Sequence, residues 1–199
     1  SYAICQREKG NNDAAFDLFR HCVELDSTRS EAWSFLSQYY AAMKDRDKAL
    51  SYVKRAAELS PDNATYLETL AHSYINQRAY AEAAETFEQL YAKNRDREDV
   101  LGTLIQLYEQ LEDYDKAIDA LSRLEVLEGK SERLSYAKSQ FYTQKGDKKA
   151  AIAEMKQLAD QYLNDFSYLC MYANTLYRND QQKKAVSLYE SILKEEPDN

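Results

Sequence analysis

An alanine returns every 34 residues along this chain and limits the folds that the chain can adopt. The series is Ala15, Ala49, Ala83, Ala117, Ala151 and Ala185. Tyrosine follows the same period at Tyr40, Tyr74, Tyr108 and Tyr142. A fixed period of this length is the signature of a repeat architecture, in which each unit is one supersecondary element. We therefore expect a stack of similar units rather than one irregular core.

Each unit carries two apolar stretches with helical spacing, separated by a polar turn. In one unit, Leu36 and Tyr40 share a helix face, residues 44–47 form the turn, and Ala49 and Val53 share the next face. Only four Gly and two Pro occur in the 199 residues, too few turn residues for an all-β fold. Two such helices form an antiparallel hairpin that buries its apolar faces only when neighbours stack on it. The sequence therefore predicts an all-α fold, with the alanine where two helix backbones approach closely.

This pattern resembles the tetratricopeptide repeat, and the resemblance covers essentially the whole chain. The residues that carry it in one unit are Trp33, Leu36, Ser37, Tyr40, Ala49, Ala56 and Pro61. The next unit repeats it with Leu67, Leu70, Ala71, Tyr74, Ala83 and Phe87. The resemblance implies an α-α superhelix, a right-handed solenoid of stacked antiparallel helix hairpins. The predicted array has a partial repeat at 1–29 and full repeats at 30–63, 64–97, 98–131, 132–165 and 166–199.

The ends of the array and one internal unit depart from the regular pattern. The incomplete first repeat and the last helix, which has no capping helix after it, predict a piece of a longer array. Val186, Tyr189 and Leu193 on that last helix would normally be covered by a following element, so we expect self-association through the terminal repeats. Ser135 and Lys138 stand at positions that are usually apolar, which predicts looser packing of their helix.

Residue types that carry catalysis or hold metals do not cluster in this sequence. His21 and His72 are the only histidines and lie far apart, and no hydrolase, metalloprotease, P-loop or dinucleotide motif occurs. The cysteines Cys5, Cys22 and Cys170 lack the paired spacing of a zinc site. We therefore predict that the chain is not an enzyme and holds no metal and no cofactor.

Charge and hydropathy exclude two classes of partner. The formal net charge of -8 argues against nucleic acid, because phosphate binding needs a basic face. No apolar run approaches the roughly 20 residues that span a bilayer, so no membrane insertion of this segment is expected. A protein or peptide is the partner class that remains.

The resemblance places the ligand groove along the first helix of every repeat. One helix position, read from repeat to repeat, gives the column Gln38, His72, Gln106, Gln140 and Asn174. An amide offers a donor and an acceptor, so this column could pair with the backbone of an extended peptide. Gln is also a good helix former at a solvated position, which is the competing explanation. Tyr136 and Tyr177 fall on the same face, where ligand contact and plain solvent exposure both remain open.

Charged residues beside the column predict a polarity for the ligand. The acidic members are Glu8, Glu31, Glu68, Asp99 and Glu109, against one Arg7, and the basic members are Arg133 and Arg178 in the last two repeats. A ligand with basic residues toward the first four repeats and an acidic group toward the last two would match this field. Some members of the family bind chaperones through a carboxylate clamp that includes lysine. The matching positions here contain no lysine, and Glu68 would repel a carboxylate; they are Ser34, Gln38, Glu68, His72, Gly102 and Gln106.

Three functional hypotheses are compatible with the sequence. The first is a non-catalytic scaffold that binds an extended peptide or protein segment in its concave groove. The second is a module for self-assembly, or a spacer packed against another domain of its own chain. The third is the regulatory arm of a larger multidomain protein.

Overall fold

The structure is a computed structural model that describes residues 12–162 and 165–195. These residues form eleven α-helices and no strand. The helices are α1 (Asn12–Leu25), α2 (Ser30–Ala42), α3 (Arg46–Leu59), α4 (Ala64–Asn76), α5 (Tyr80–Lys93), α6 (Glu98–Gln110), α7 (Tyr114–Glu128), α8 (Glu132–Lys145), α9 (Lys148–Gln161), α10 (Phe166–Arg178) and α11 (Gln182–Glu195). The all-α fold expected from the sequence is confirmed. The beginning of the partial repeat at 1–29 lies outside the described residues.

The helices follow the period of the sequence. From α2 onward, first helices begin at residues 30, 64, 98, 132 and 166, and second helices begin at residues 46, 80, 114, 148 and 182. Both series advance in steps of 34 residues, so each position of the period has one structural role. That each hairpin is one repeat, with the boundaries given above, stays a prediction.

The chain divides into two compact units, unit 1 at residues 1–100 and unit 2 at residues 101–199. In unit 1, helices α1 to α5 pack against one another in chain order. In unit 2, helices α7 to α11 do the same. Because these helices pack on one another in chain order, each unit is a stack of helix hairpins, as in an α-α superhelix.

The periodic alanines are buried in the core. All six are between 0% and 5% exposed. In unit 1, Ser37 Oγ in α2 donates a hydrogen bond to the Ala49 carbonyl in α3, at 2.7 Å. In unit 2, Ser139 Oγ in α8 donates to the Ala151 carbonyl in α9, at 3.1 Å. A side chain of one helix therefore touches the backbone of its partner, which leaves no room for a residue larger than alanine.

The tyrosine series lines the core less deeply than the alanine series. Tyr108 is buried, whereas Tyr40, Tyr74 and Tyr142 are half-buried. Tyr40 packs on Tyr52 of the neighbouring helix with ring centroids 5.2 Å apart. The half-buried rings therefore cover the edge of the core.

Aspartates fix the start of several second helices. The carboxylates of Asp45, Asp113 and Asp147 accept hydrogen bonds from the backbone N–H groups three residues later. This is the usual N-cap arrangement, in which a side chain satisfies an N–H group that has no partner in the helix. The hydrogen bond from the Lys48 N–H is the largest cause that lowers the pKa of Asp45. The polar turns read from the sequence thus act as start signals for α3, α7 and α9.

Helix α8 is not loosely packed, contrary to the expectation from its polar residues. Ser135 is fully buried and Lys138 is 5% exposed. The Lys138 ammonium forms an ion pair with the Glu125 carboxylate of α7, so the position that is apolar elsewhere holds a paired charge. The Ser135 hydroxyl is buried and has no hydrogen-bond partner among the described residues. Helix α8 therefore keeps the packing of the other first helices while its polar side chains lie inside.

Candidate functional site

In unit 1 the predicted amide column is represented by Gln38 in α2 and His72 in α4. Both side chains are exposed. The His72 ring meets the Phe87 ring edge-on, with centroids 5.6 Å apart and an interplanar angle of 85°. Gln38 has no hydrogen-bond partner within residues 12–162 and 165–195. His72 therefore rests against the core, whereas Gln38 offers its amide to solvent.

In unit 2 the column continues with Gln106 in α6, Gln140 in α8 and Asn174 in α10. Gln106 and Asn174 are exposed, and Gln140 is half-buried. None of these three amides forms a hydrogen bond with any residue that the structure describes. Gln157 in α9, by contrast, accepts a hydrogen bond from Lys130 at 2.7 Å. The column residues therefore keep both donor and acceptor free for a ligand.

Tyrosines accompany the column on the first helices of unit 2. In α8, Tyr136 precedes Gln140 by four residues and shares its helix face. In α10, Tyr177 follows Asn174 by three residues and does the same. Tyr136 is 41% exposed and Tyr177 is 55% exposed, so both rings present apolar area and a hydroxyl to solvent. Amphipathic aromatic rings of this kind are enriched at protein interfaces.

Part of the acidic charge predicted for unit 1 is compensated. The Arg97 guanidinium lies 2.7 Å from Glu68 and 2.6 Å from Asp99. The hydrogen bonds from Arg97 are the largest cause that lowers the pKa of Asp99, and the same pairs raise the pKa of Arg97. Arg97 precedes α6 and therefore falls outside the helix columns counted from the sequence. The single Arg97 guanidinium thus offsets one of the two negative charges of Glu68 and Asp99.

The basic charge predicted for unit 2 is partly compensated as well. Arg133 forms an ion pair with Glu128 at 2.6 Å. Arg178 and Glu109 are exposed, and neither has an ion-pair partner in the described part of the chain. Three charged residues predicted beside the column remain. Glu31 is exposed, whereas Arg7 and Glu8 lie outside the described residues. The field along the first helices is therefore weaker than the column count predicted.

A sequence signal for these compensating pairs exists, although the column count missed it. Opposite charges about one period apart form ion pairs between neighbouring hairpins: Arg97 with Glu68 at a separation of 29 residues, Lys93 with Asp62 at 31, Lys145 with Asp115 at 30 and Lys148 with Asp180 at 32. In each of these four pairs, two residues slightly less than one period apart meet. A search for opposite charges at this separation would have identified Arg97 as the partner of Glu68.

The described residues contain no cluster of three or more His, Cys, Asp or Glu side chains that could hold a metal ion. Cys22 and Cys170 are free thiols and half-buried, and Cys5 lies outside the described residues. Within the same residues, every helix is too short or too polar to cross a membrane. What the arrangement offers chemically is hydrogen bonding by amides and contact area from aromatic rings.

Comparison with known proteins identifies matches along most of the chain. Three family models described as tetratricopeptide repeat match residues 30–63, 74–141 and 132–164. The TPR repeat-containing protein YpiA of Bacillus subtilis (strain 168) is 22% identical over 192 residues, which are 96% of this chain and 45% of YpiA. The chain therefore spans less than half the length of this curated relative.

Solved structures show the same architecture at low sequence identity. The structure of Naa15/Naa10 bound to HypK-THB matches with a TM-score of 0.70 and 20% identity, over 99% of this chain and 31% of that chain. The crystal structure of MamA matches with a TM-score of 0.55 and 17% identity, over 92% and 98% of the two chains. The crystal structure of YrrB matches with a TM-score of 0.53 and 17% identity, over 91% and 93%. These likenesses concern the fold.

Proposed function

Because this chain belongs to the tetratricopeptide repeat family, we propose that it is a non-catalytic scaffold that binds an extended peptide or protein segment along its first helices. Members of the family generally serve as interaction modules. The relative YrrB is described as a TPR protein with an unusual peptide-binding site, and Naa15/Naa10 was solved bound to HypK-THB. Both descriptions fit an interaction module in which the repeats carry the binding surface.

The observation that carries the proposal is the row of unpaired amides in unit 2. Gln106, Gln140 and Asn174 occupy one helix position on three successive first helices and have no hydrogen-bond partner among the described residues. An extended peptide presents N–H and C=O groups at regular intervals, and a primary amide satisfies either kind. Recognition of this kind depends on the peptide backbone, so it tolerates many sequences.

The exposed tyrosines supply the second component of the proposed site. Tyr136 and Tyr177 flank the amides on α8 and α10 and offer rigid, amphipathic contact area. Tyrosine at an interface contributes apolar burial with little loss of side-chain freedom. The proposed ligand therefore pairs its backbone with the amides and packs its side chains on the tyrosine rings.

The test combines peptide selection with a triple substitution. Random 12-residue peptides displayed on phage are selected against the wild-type protein, and the dissociation constants of the enriched peptides are measured by fluorescence anisotropy. The variant Gln106→Ala/Gln140→Ala/Asn174→Ala is expected to bind them at least tenfold more weakly. Each lost hydrogen bond contributes about 0.5–1.5 kcal/mol, and three of them exceed the 1.4 kcal/mol of a tenfold change.

The matched control removes three exposed amides from second helices. Gln89→Ala/Gln161→Ala/Gln182→Ala changes the same chemistry away from the proposed site and is expected to leave the affinity within twofold. Circular dichroism establishes that both variants fold. Equal affinities of the two triple variants for every selected peptide would refute the amide site.

Exposed apolar residues on α11 support a second candidate function, self-association. Val186 and Leu193 lie seven residues apart on one face of α11 and are about half exposed. Light scattering over a concentration series is expected to show a mass above that of a monomer at high concentration. Val186→Glu/Leu193→Glu should restore a monomer, whereas Leu25→Glu/Val126→Glu, which changes two exposed apolar residues elsewhere, should not. A wild-type protein that stays monomeric throughout contradicts this candidate.

A further inference from the structure

Unit 1 contains a cavity at the end of the α2–α3 hairpin, beside the last turn of α4. Its volume is about 340 Å³. The residues that line it are Ala41, Lys44, Arg46, Ala49, Ser73 and Asn76. Ligand pockets in proteins typically measure about 300–1,000 Å³, so this cavity is large enough for a peptide side chain with part of its backbone.

The cavity is lined by cations that have no partner. Neither Lys44 nor Arg46 forms an ion pair with any residue in the described part of the chain. The neighbouring Lys48 is already paired with Asp45, at 3.2 Å. This concentration of free positive charge runs against the net charge of the chain, which is -8. Two unpaired cations at one cavity favour an anionic ligand.

The hydrogen-bonding groups of the cavity also suit an oxyanion. The Asn76 amide has no hydrogen-bond partner among the residues that the structure describes, and its NH₂ group can donate. Arg46 offers the planar set of donors that matches two oxygens of one carboxylate. Lys44 adds a third positively charged donor group. Guanidinium, ammonium and amide donors together match the acceptors of an oxyanion.

A hydrogen bond from the neighbouring hairpin fixes the walls of the cavity. Gln77 Nε2, at the end of α4, donates to the Arg46 carbonyl at 3.1 Å and lies 3.4 Å from Asp47 Oδ1. This contact ties α4 to the first turn of α3, so the cations are held on a defined backbone. Asp47 also adds one negative charge beside the two cations, which leaves a field suited to a singly charged ligand.

We propose that this cavity binds the side-chain carboxylate of an acidic segment in a protein partner. Arg46 and Lys44 neutralise the carboxylate, and Asn76 donates a hydrogen bond to it. Phosphate is less suited, because its second negative charge would face Asp47 with only two cations present. The site lies at the hairpin end and does not depend on the amide column.

The probe is the blocked peptide acetyl-(Gly-Glu)₃-amide, titrated into the full chain and followed by ¹⁵N-¹H NMR. We expect saturable shifts of backbone signals in residues 44–49 and 73–77. The variant Lys44→Gln/Arg46→Gln is expected to weaken binding at least fivefold, and Asn76→Ala is expected to weaken it about two- to threefold. Higher salt should weaken binding as well, because exposed charges are screened.

The controls separate a built site from general attraction between charges. Lys54→Gln/Arg95→Gln removes two exposed cations of unit 1 that lack ion pairs and lie outside the cavity, so the charge change is the same. It is expected to leave the affinity within twofold. The proposal is overturned if both double variants lose affinity equally, if acetyl-(Gly-Gln)₃-amide binds as well, or if inorganic phosphate binds more tightly than the acidic peptide.

Discussion

The ion pair between Lys138 and Glu125 predicts a strong energetic coupling inside unit 2. The Lys138 side chain is 7% exposed and the Glu125 side chain is 21% exposed. Removing one partner of a buried pair leaves a charge without compensation, which costs about 3–5 kcal/mol of the free energy of unfolding. Glu125→Leu strands the more deeply buried Lys138 ammonium, so we expect a loss near that range.

The opposite substitution is expected to cost less. Lys138→Met leaves the Glu125 carboxylate, which retains some contact with water and lies 4.0 Å from Lys130. We expect Lys138→Met to destabilise unit 2 by about 1–3 kcal/mol, below the range for a fully buried orphan charge. Leu70 and Leu104 occupy the equivalent position in other hairpins and are buried there, so an apolar side chain fits.

The double variant decides between a coupled pair and two independent losses. Glu125→Leu/Lys138→Met removes both charges, and replacing a buried pair by apolar residues is often neutral or stabilising. Lys130 keeps its contacts with Glu154 at 3.3 Å and Gln157 at 2.7 Å. We therefore expect the double variant to be as stable as the wild type, or nearly so, and more stable than Glu125→Leu alone.

The two single variants and the double variant form a double-mutant cycle. Equilibrium unfolding in urea, followed by circular dichroism, measures the free energy of unfolding of each variant, and each resolved transition is fitted separately. Trp33 is the only tryptophan and lies in unit 1, so its fluorescence follows a unit that contains none of the substitutions. The exposed pair of Lys156 and Asp160 in α9 is the matched control, because solvent screens it and its coupling should be close to zero. Additive free energies for Glu125→Leu and Lys138→Met would refute the reasoning.

Three further predictions follow from the helices. Gly102→Ala should raise the free energy of unfolding by about 0.5–1 kcal/mol, because Ala is the better helix former and a Cβ at this position has no neighbouring atom within 4 Å. Urea titrations measure this change, and a loss of stability would contradict the prediction. Ala117→Leu should lower the free energy of unfolding by about 1–3 kcal/mol, because it overpacks a fully buried site. Ala153→Leu, at an exposed helix position, should change the free energy of unfolding little. An unchanged melting temperature for Ala117→Leu would contradict the alanine register. The pKa of Asp99 is lowered in the folded state, so its ionised carboxylate stabilises the protein above the unfolded pKa of about 3.9. This stability is lost as the pH falls through the lower folded pKa. Unfolding titrations between pH 6 and pH 2 should show the drop, and Arg97→Gln should diminish it.

The periodic part of the fold could be predicted from the sequence because one steric requirement repeats at one position. Ala49 and Ala151 are small because Ser37 and Ser139 touch the backbone beside them. The position of the period that these two residues share holds a buried alanine at all six steps. The all-α fold follows from that regularity.

Interactions that occur once could not be predicted in the same way. Lys138 looks like a defect in an apolar series, and only the fold brings Glu125 of the preceding helix to its ammonium. Arg97 lies in the segment before α6, so a count restricted to helix columns missed the positive charge that offsets one of the two carboxylates of Glu68 and Asp99. Both errors arise because charge pairing depends on distances between elements, whereas the period describes positions within them.

The first-helix face of unit 2 is not explained by helix stability alone. Asn174 is exposed in α10, and Gly102 lies one helical turn before Gln106 in α6. If helix stability alone determined this face, both positions would carry better helix formers, since Asn and Gly rank low in helix propensity. No neighbour within 4 Å would clash with a Cβ at Gly102, so packing does not require glycine either. Two poor helix formers, three unpaired amides and two exposed tyrosines on this face support the proposal of a ligand site. Peptide binding is our proposal for this face, and the triple amide variant tests it directly against a merely solvated surface.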